Sequence, residues 1–179
     1  MKSTVLTLLF LSLLIGKNVS AQYNNIGIGA EINVPSGNSS NISAIGFGGG
    51  LKAEIGLSNK FALTAHGSWV SFLGRNYFGV TTAAETSVPV KAGLKYYPSQ
   101  NFYFEGQLGA NLALSGNGST GFAWSPGFGT FIKMGSSDHK LDVGLRYEGW
   151  SSSRVITGTN SVFSTFGFIG LRAAYAFAL

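Results

Sequence analysis

His66 and Ser68 are the residues best spaced for chemistry. His66-Gly67-Ser68 separates an imidazole and a hydroxyl by one residue, which in an extended chain puts both on one face. An imidazole beside a hydroxyl, with a carboxylate behind, is the arrangement that activates a nucleophile for acyl transfer. Glu54, on the preceding alternating run, is the carboxylate that could complete it. Gly48-Gly49-Gly50-Leu51-Lys52-Ala53 fits a loose G-x-G-x-x-A spacing. A dinucleotide cradle of that kind needs a strand, a tight turn and then a helix, whereas this run alternates throughout. The imidazoles are His66 and His139, far apart, and cysteine is absent. No metal site and no cofactor are expected from such a donor set.

The charged residues are a more distinctive set than any motif. Only 11% of residues are charged while 45% are hydrophobic, against about 25% charged in an ordinary soluble domain. A water-facing surface of this size normally carries more. The net charge of +5 includes Lys2 and Lys17 of the leader described below. No Lys/Arg cluster remains beyond them, and phosphate binding needs one. No nucleic-acid partner is expected.

Residues 1–21 read as a signal peptide: Met1-Lys2 supply positive charge, Val5 to Ile15 an apolar run, and Val19-Ser20-Ala21 a small-residue cleavage site. The apolar run falls short of the roughly 20 residues a spanning helix requires. Cleavage after Ala21 leaves Gln22 first in a single mature domain, 22–179.

From Gln22 onward the chain alternates with a period of two. Runs 26–34, 45–57, 61–69, 88–96, 102–114, 122–134, 141–148 and 165–179 each place apolar residues on one parity. The opposite parity carries glycine, small polar residues and the charges Glu31, Lys52, Glu54, Lys91, Lys95, Glu105, Lys133, Asp142, Arg146, Glu148 and Arg172, together with His66. The apolar parity holds no charge at all. Alternation over runs of this length specifies strands, and eight of them predict an all-β, antiparallel up-and-down barrel.

Period alone does not say which face is outside, since a soluble barrel alternates too. Three features point to lipid outside. Glycine is concentrated on the polar parity, where a narrow lumen needs small residues. The polar-parity charges nearly balance, as buried charges must. Trp69, Tyr96, Phe102, Trp124, Tyr147, Tyr175 and Phe177 gather towards the ends of the apolar face, as in the aromatic girdles of membrane barrels. Closure follows, because hydrocarbon leaves an open sheet edge unsatisfied. Pro89 and Pro126 each remove a ladder donor and suggest bulges near strand ends.

Short links at 58–60, 98–101 and 135–140 alternate with longer ones at 35–44, 74–87, 115–121 and 149–164. That is the outer-membrane arrangement of periplasmic turns and exterior loops. The leader, the eight runs and the terminal Ala173-Ala174-Tyr175-Ala176-Phe177-Ala178-Leu179 resemble the small outer-membrane barrels: the barrel part of outer membrane protein A, proteins X and W, and the "porin family" barrels of Bacteroidetes. The resemblance implies residence in the outer membrane of a Gram-negative bacterium, with contact to its lipid and to the barrel-insertion machinery. The family usually ends in an aromatic residue, whereas this chain ends Phe177-Ala178-Leu179. The spacing of His66 and Ser68 is similar to that of lipid A deacylases, but parity turns both into the lumen, away from such a substrate.

The expected function is therefore non-enzymatic: a structural or surface-interaction barrel whose exterior loops meet an unidentified extracellular partner. A narrow channel for small solutes is second, and a lipid A-modifying enzyme third. Eight strands leave room for side chains and little else.

Overall fold

The computed structural model describes residues 24–77, 80–81, 83–115, 120–135, 139–156 and 160–179. The leader and its cleavage site at Ala21 lie outside these residues.

Eight antiparallel strands close into a barrel: β1 (Asn25–Pro35), β2 (Ser43–Gly56), β3 (Phe61–Gly74), β4 (Glu85–Tyr96), β5 (Phe102–Ser115), β6 (Gly121–Lys133), β7 (Lys140–Ile156) and β8 (Asn160–Ala178). Each strand pairs with its neighbour in sequence, and β1 pairs with β8 from Asn25↔Ala178 to Pro35↔Phe168. No edge remains within the wall, as hydrocarbon requires. A 3-10 turn at Gly37–Asn41 links β1 to β2, and a small two-stranded piece (Asn76–Tyr77 with Val80–Thr81) sits between β3 and β4.

Side chains divide by parity as the sequence requires. Leu108, Leu51 and Ile28 are 60%, 57% and 56% exposed, whereas Glu54, Lys95 and Glu148 are 1% or less. Grease faces out and charge faces in.

Inward glycine has a steric cause. A Cβ on Gly109 would lie 2.0 Å from the Val90 carbonyl oxygen of the adjacent strand, so the wall could not curve so tightly with any side chain there. In the β6–β7 turn, Gly135 takes φ +68°, a conformation other residues rarely adopt.

The prolines correct the expectation of bulges. Between β3 and β4 the register passes from Gly67↔Val90 directly to Val70↔Ser87, so the ladder is interrupted beside Pro89 without a shift. Between β6 and β7 it passes from Trp124↔Gly149 to Gly127↔Arg146, interrupted beside Pro126 in the same way. Each missing N–H removes rungs and leaves the alignment intact. A true register shift occurs elsewhere, between Thr86 and Ser87 in the pairing of β4 with β5.

Candidate functional site

The lumen is built in layers. Alternate positions of every strand deliver side chains to it, and a narrow barrel brings opposite walls within reach of one long side chain. Near the short links, Tyr97, Tyr103 and Phe131 form one aromatic layer with Ala62 and Ala176. Near the long links, Phe72, Trp150 and Phe168 form a second with Val70 and Ala123, and Phe166 packs against it. Ion pairs fill the space between.

Among the described residues these pairs fall into two groups. In the first, Lys91 Nζ donates to Glu148 at 2.5 Å, Arg146 Nε donates to the same carboxylate at 2.7 Å, and Arg146 Nη2 reaches Glu31. Trp150 Nε1 donates to the other Glu148 oxygen at 2.8 Å, tying this group to the upper aromatic layer. In the second, Lys95 donates to Glu54 at 2.7 Å, Lys52 to Glu105 at 2.8 Å, and Arg172 to Asp142 at 3.0 Å. Lys52 and Lys95 each stand 3.9 Å from Asp142, which links the three pairs. Tyr97 donates to Glu54 and Tyr103 donates to Asp142 at 2.5 Å, and Lys95 lies 3.9 Å from the centre of the Tyr103 ring. Such charges are tolerable out of water because each is paired with an opposite charge, and most of them with more than one partner.

Lys133 departs from the set named from the sequence. It shares the inward parity but is exposed, in the last rung of β6 opposite Lys140. The lumen is already shut at that depth by Phe131. Parity assigns a face; it does not say where the enclosed volume stops.

His66 and Ser68 point inward and are buried, at 3% and 4% exposure. Neither ring nitrogen of His66, nor Ser68 Oγ, has a hydrogen-bond partner. Glu54 is engaged by Lys95 and Tyr97 instead. The three are not joined into a proton relay.

The aromatic residues named from the sequence lie along the outer face. Phe61 and Tyr96 meet at 5.2 Å between ring centres, and Phe102 contacts Phe104 and Phe128 at 5.1 and 6.2 Å. Tyr175 and Phe177 meet at 4.7 Å. These crowd the short-link end. Trp124 and Tyr147 meet at 5.5 Å towards the other, and Trp69 stands exposed on β3.

The stretch 149–164, expected as a loop, is mostly strand. β7 continues to Ile156 and β8 begins at Asn160, paired from Asn160↔Ile156 downward. The wall beside them stops sooner: β6 follows β7 only to Ser151, and β1 follows β8 only from Phe168. A two-stranded hairpin thus rises above the barrel. Its foot is fastened where Gly167 N donates to Ser39 Oγ and Ser36 N donates to the Gly167 carbonyl, each at 2.9 Å.

Reasoning from sequence missed both aromatic layers. Tyr103, Phe131, Phe166 and Phe168 stood on the polar parity in plain view. Their clustering at two depths was the signal. Phe72 and Trp150 fell beyond the assigned strand ends.

No protein-family model matches the chain, and neither does any curated protein sequence. Solved structures do. The chain is similar to Ail, the attachment invasion locus protein of Yersinia pestis, at 16% identity and TM-score 0.54, over 87% of this chain and 98% of that one. A second structure of Ail, in complex with the heparin analogue sucrose octasulfate, gives TM-score 0.53 at the same identity and coverage. The outer membrane protein OprG from Pseudomonas aeruginosa is similar at 12% identity and TM-score 0.50, over 87% and 97%. At such identities the likeness is one of architecture, and it agrees with the apolar exterior: this chain has the fold of the small eight-stranded outer-membrane barrels.

Proposed function

We propose that the protein is a non-enzymatic outer-membrane barrel whose exterior hairpin holds an extended segment of an extracellular partner. The observation that carries this is the rise of β7 and β8 past their neighbours, which among the described residues leaves 152–156 and 160–164 paired only with each other. Above its fastened foot, a hairpin flanked by no further strand among the described residues offers backbone donors and acceptors to an added strand. Ail was solved with a sulfated sugar analogue, but this chain brings to its long-link end only Arg75, Arg154 and the acidic Glu85. That charge is too sparse for a polyanion, and backbone pairing is the better-supported mode.

In this reading the leader is removed after Ala21, and the insertion machinery delivers the barrel to the outer membrane. The lumen ion pairs act as a permanent plug, and the outer aromatic residues anchor the wall at the two interfaces. A solute path would need both aromatic layers displaced, which weighs against the channel reading.

Retention of an unstructured peptide pool by the bilayer-embedded protein tests the proposal. A variant lacking 153–163, with heat-modifiable gel mobility confirming an intact barrel, should retain only background. Equal retention would overturn it. Lipid A mass spectra with and without the protein test the enzymatic alternative, and identical spectra are expected.

A further inference from the structure

Between the two ion-pair groups lies a cavity of about 20 Å³. Lys52, Glu105 and Arg172 of one group line it, Arg146 of the other does so too, and His66, Gln107, Tyr103 and Ser125 complete the polar lining. Two of these residues bring unmet polar atoms: both ring nitrogens of His66, and Nη2 of Arg172. Both residues are at least nine-tenths buried. A buried donor or acceptor without a partner is costly enough that native structures rarely keep one.

The charge balance argues against an ion here. Glu31, Glu54, Glu105, Asp142 and Glu148 are matched by Lys52, Lys91, Lys95, Arg146 and Arg172, with each charge already in a direct pair. A cavity needs roughly 10–15 Å³ and two to four polar partners to hold a water. This one has both and room for little more.

We infer that the cavity is an internal hydration site, in which one water accepts from Arg172 Nη2 and donates to the unprotonated ring nitrogen of His66. The water then sits at the seam between the two ion-pair groups. His66 is a positioning residue for it, which gives this imidazole a role with no part in acyl transfer.

Magic-angle-spinning NMR of the full barrel in lipid bilayers, with ¹⁵N-labelled histidine, tests this. A His139→Gln preparation assigns the remaining ring signals to His66. The expected spectrum shows a neutral ring with one protonated nitrogen, the other shifted as a hydrogen-bond acceptor and receiving magnetisation from a water proton. An acceptor nitrogen with the shift of a bare site and no transfer from water would mean a dry cavity and overturn the inference. A doubly protonated ring would overturn it too, in favour of a bound anion. Arg172→Lys keeps a cation opposite Asp142 but removes Nη2. With gel mobility unchanged, the water-to-ring transfer should fall several-fold, and undiminished transfer would refute the part assigned to Arg172.

Discussion

Lys91 and Glu148 meet across the lumen at 2.5 Å with neither side chain accessible to solvent. They stand on β4 and β7, strands that do not adjoin, so this pair ties opposite walls together rather than neighbouring rungs.

Glu148→Leu should therefore cost far more than a surface charge would. It strands Lys91 in a low-dielectric interior and takes the Nε partner from Arg146, and breaking a buried pair from one side costs about 3–5 kcal/mol. Lys91→Met leaves Glu148 still bound by Arg146 and Trp150, and should cost distinctly less. Urea unfolding in detergent micelles, followed by tryptophan fluorescence, compares the two. Equal losses would contradict the layered lumen.

Two glycines on the same strand should respond oppositely to alanine. Gly109 faces inward, where the new Cβ would collide with the β4 backbone, whereas Gly106 faces lipid with nothing within 4 Å of it. Gly109→Ala should destabilise by about 1–3 kcal/mol through overpacking, and Gly106→Ala should stay within about 0.5 kcal/mol. Folded fractions on semi-native gels across a urea series would separate them.

Leu108 stands on the outer face in the middle of β5 at 60% exposure. On a soluble protein Leu108→Arg would be harmless or favourable. Facing the hydrocarbon midplane, it should cost about 2–4 kcal/mol. A bilayer folding equilibrium with the arginine variant unimpaired would sink the outward-grease orientation.

Planar-bilayer recordings of the wild type should show no reproducible unitary steps. Phe72→Ala combined with Trp150→Ala opens the upper aromatic layer but leaves the ion pairs and the Tyr97–Tyr103–Phe131 layer in place. It too should stay silent. Steps in the wild type would revive the channel reading.

How much of this could be read beforehand depended on what each residue faced. Between the interfaces, lipid on one side and lumen on the other impose a strict period, so Ile26 to Val34 or Phe102 to Leu114 announce their faces residue by residue. Above the membrane water lies on both sides and the constraint lapses. Gly149 to Ser153 therefore looks like a loop although it is paired strand. Depth was hidden for a related reason: alternation distinguishes in from out but carries no height. Lys133 and Lys95 looked equivalent, yet one is exposed and the other fully enclosed. Who pairs with whom, such as Lys91 with Glu148, required the circumference itself.

The seam between Asn25–Pro35 and Asn160–Ala178 joins the two extremes of the described chain. No shorter stretch can close on itself, so the cylinder is finished only by its final stave. Until that last rung zips, every partial sheet would face the bilayer with two raw flanks. Contacts so distant in sequence also form slowly. Hydrocarbon therefore penalises every intermediate short of the closed cylinder, and only the meeting of the two ends relieves it.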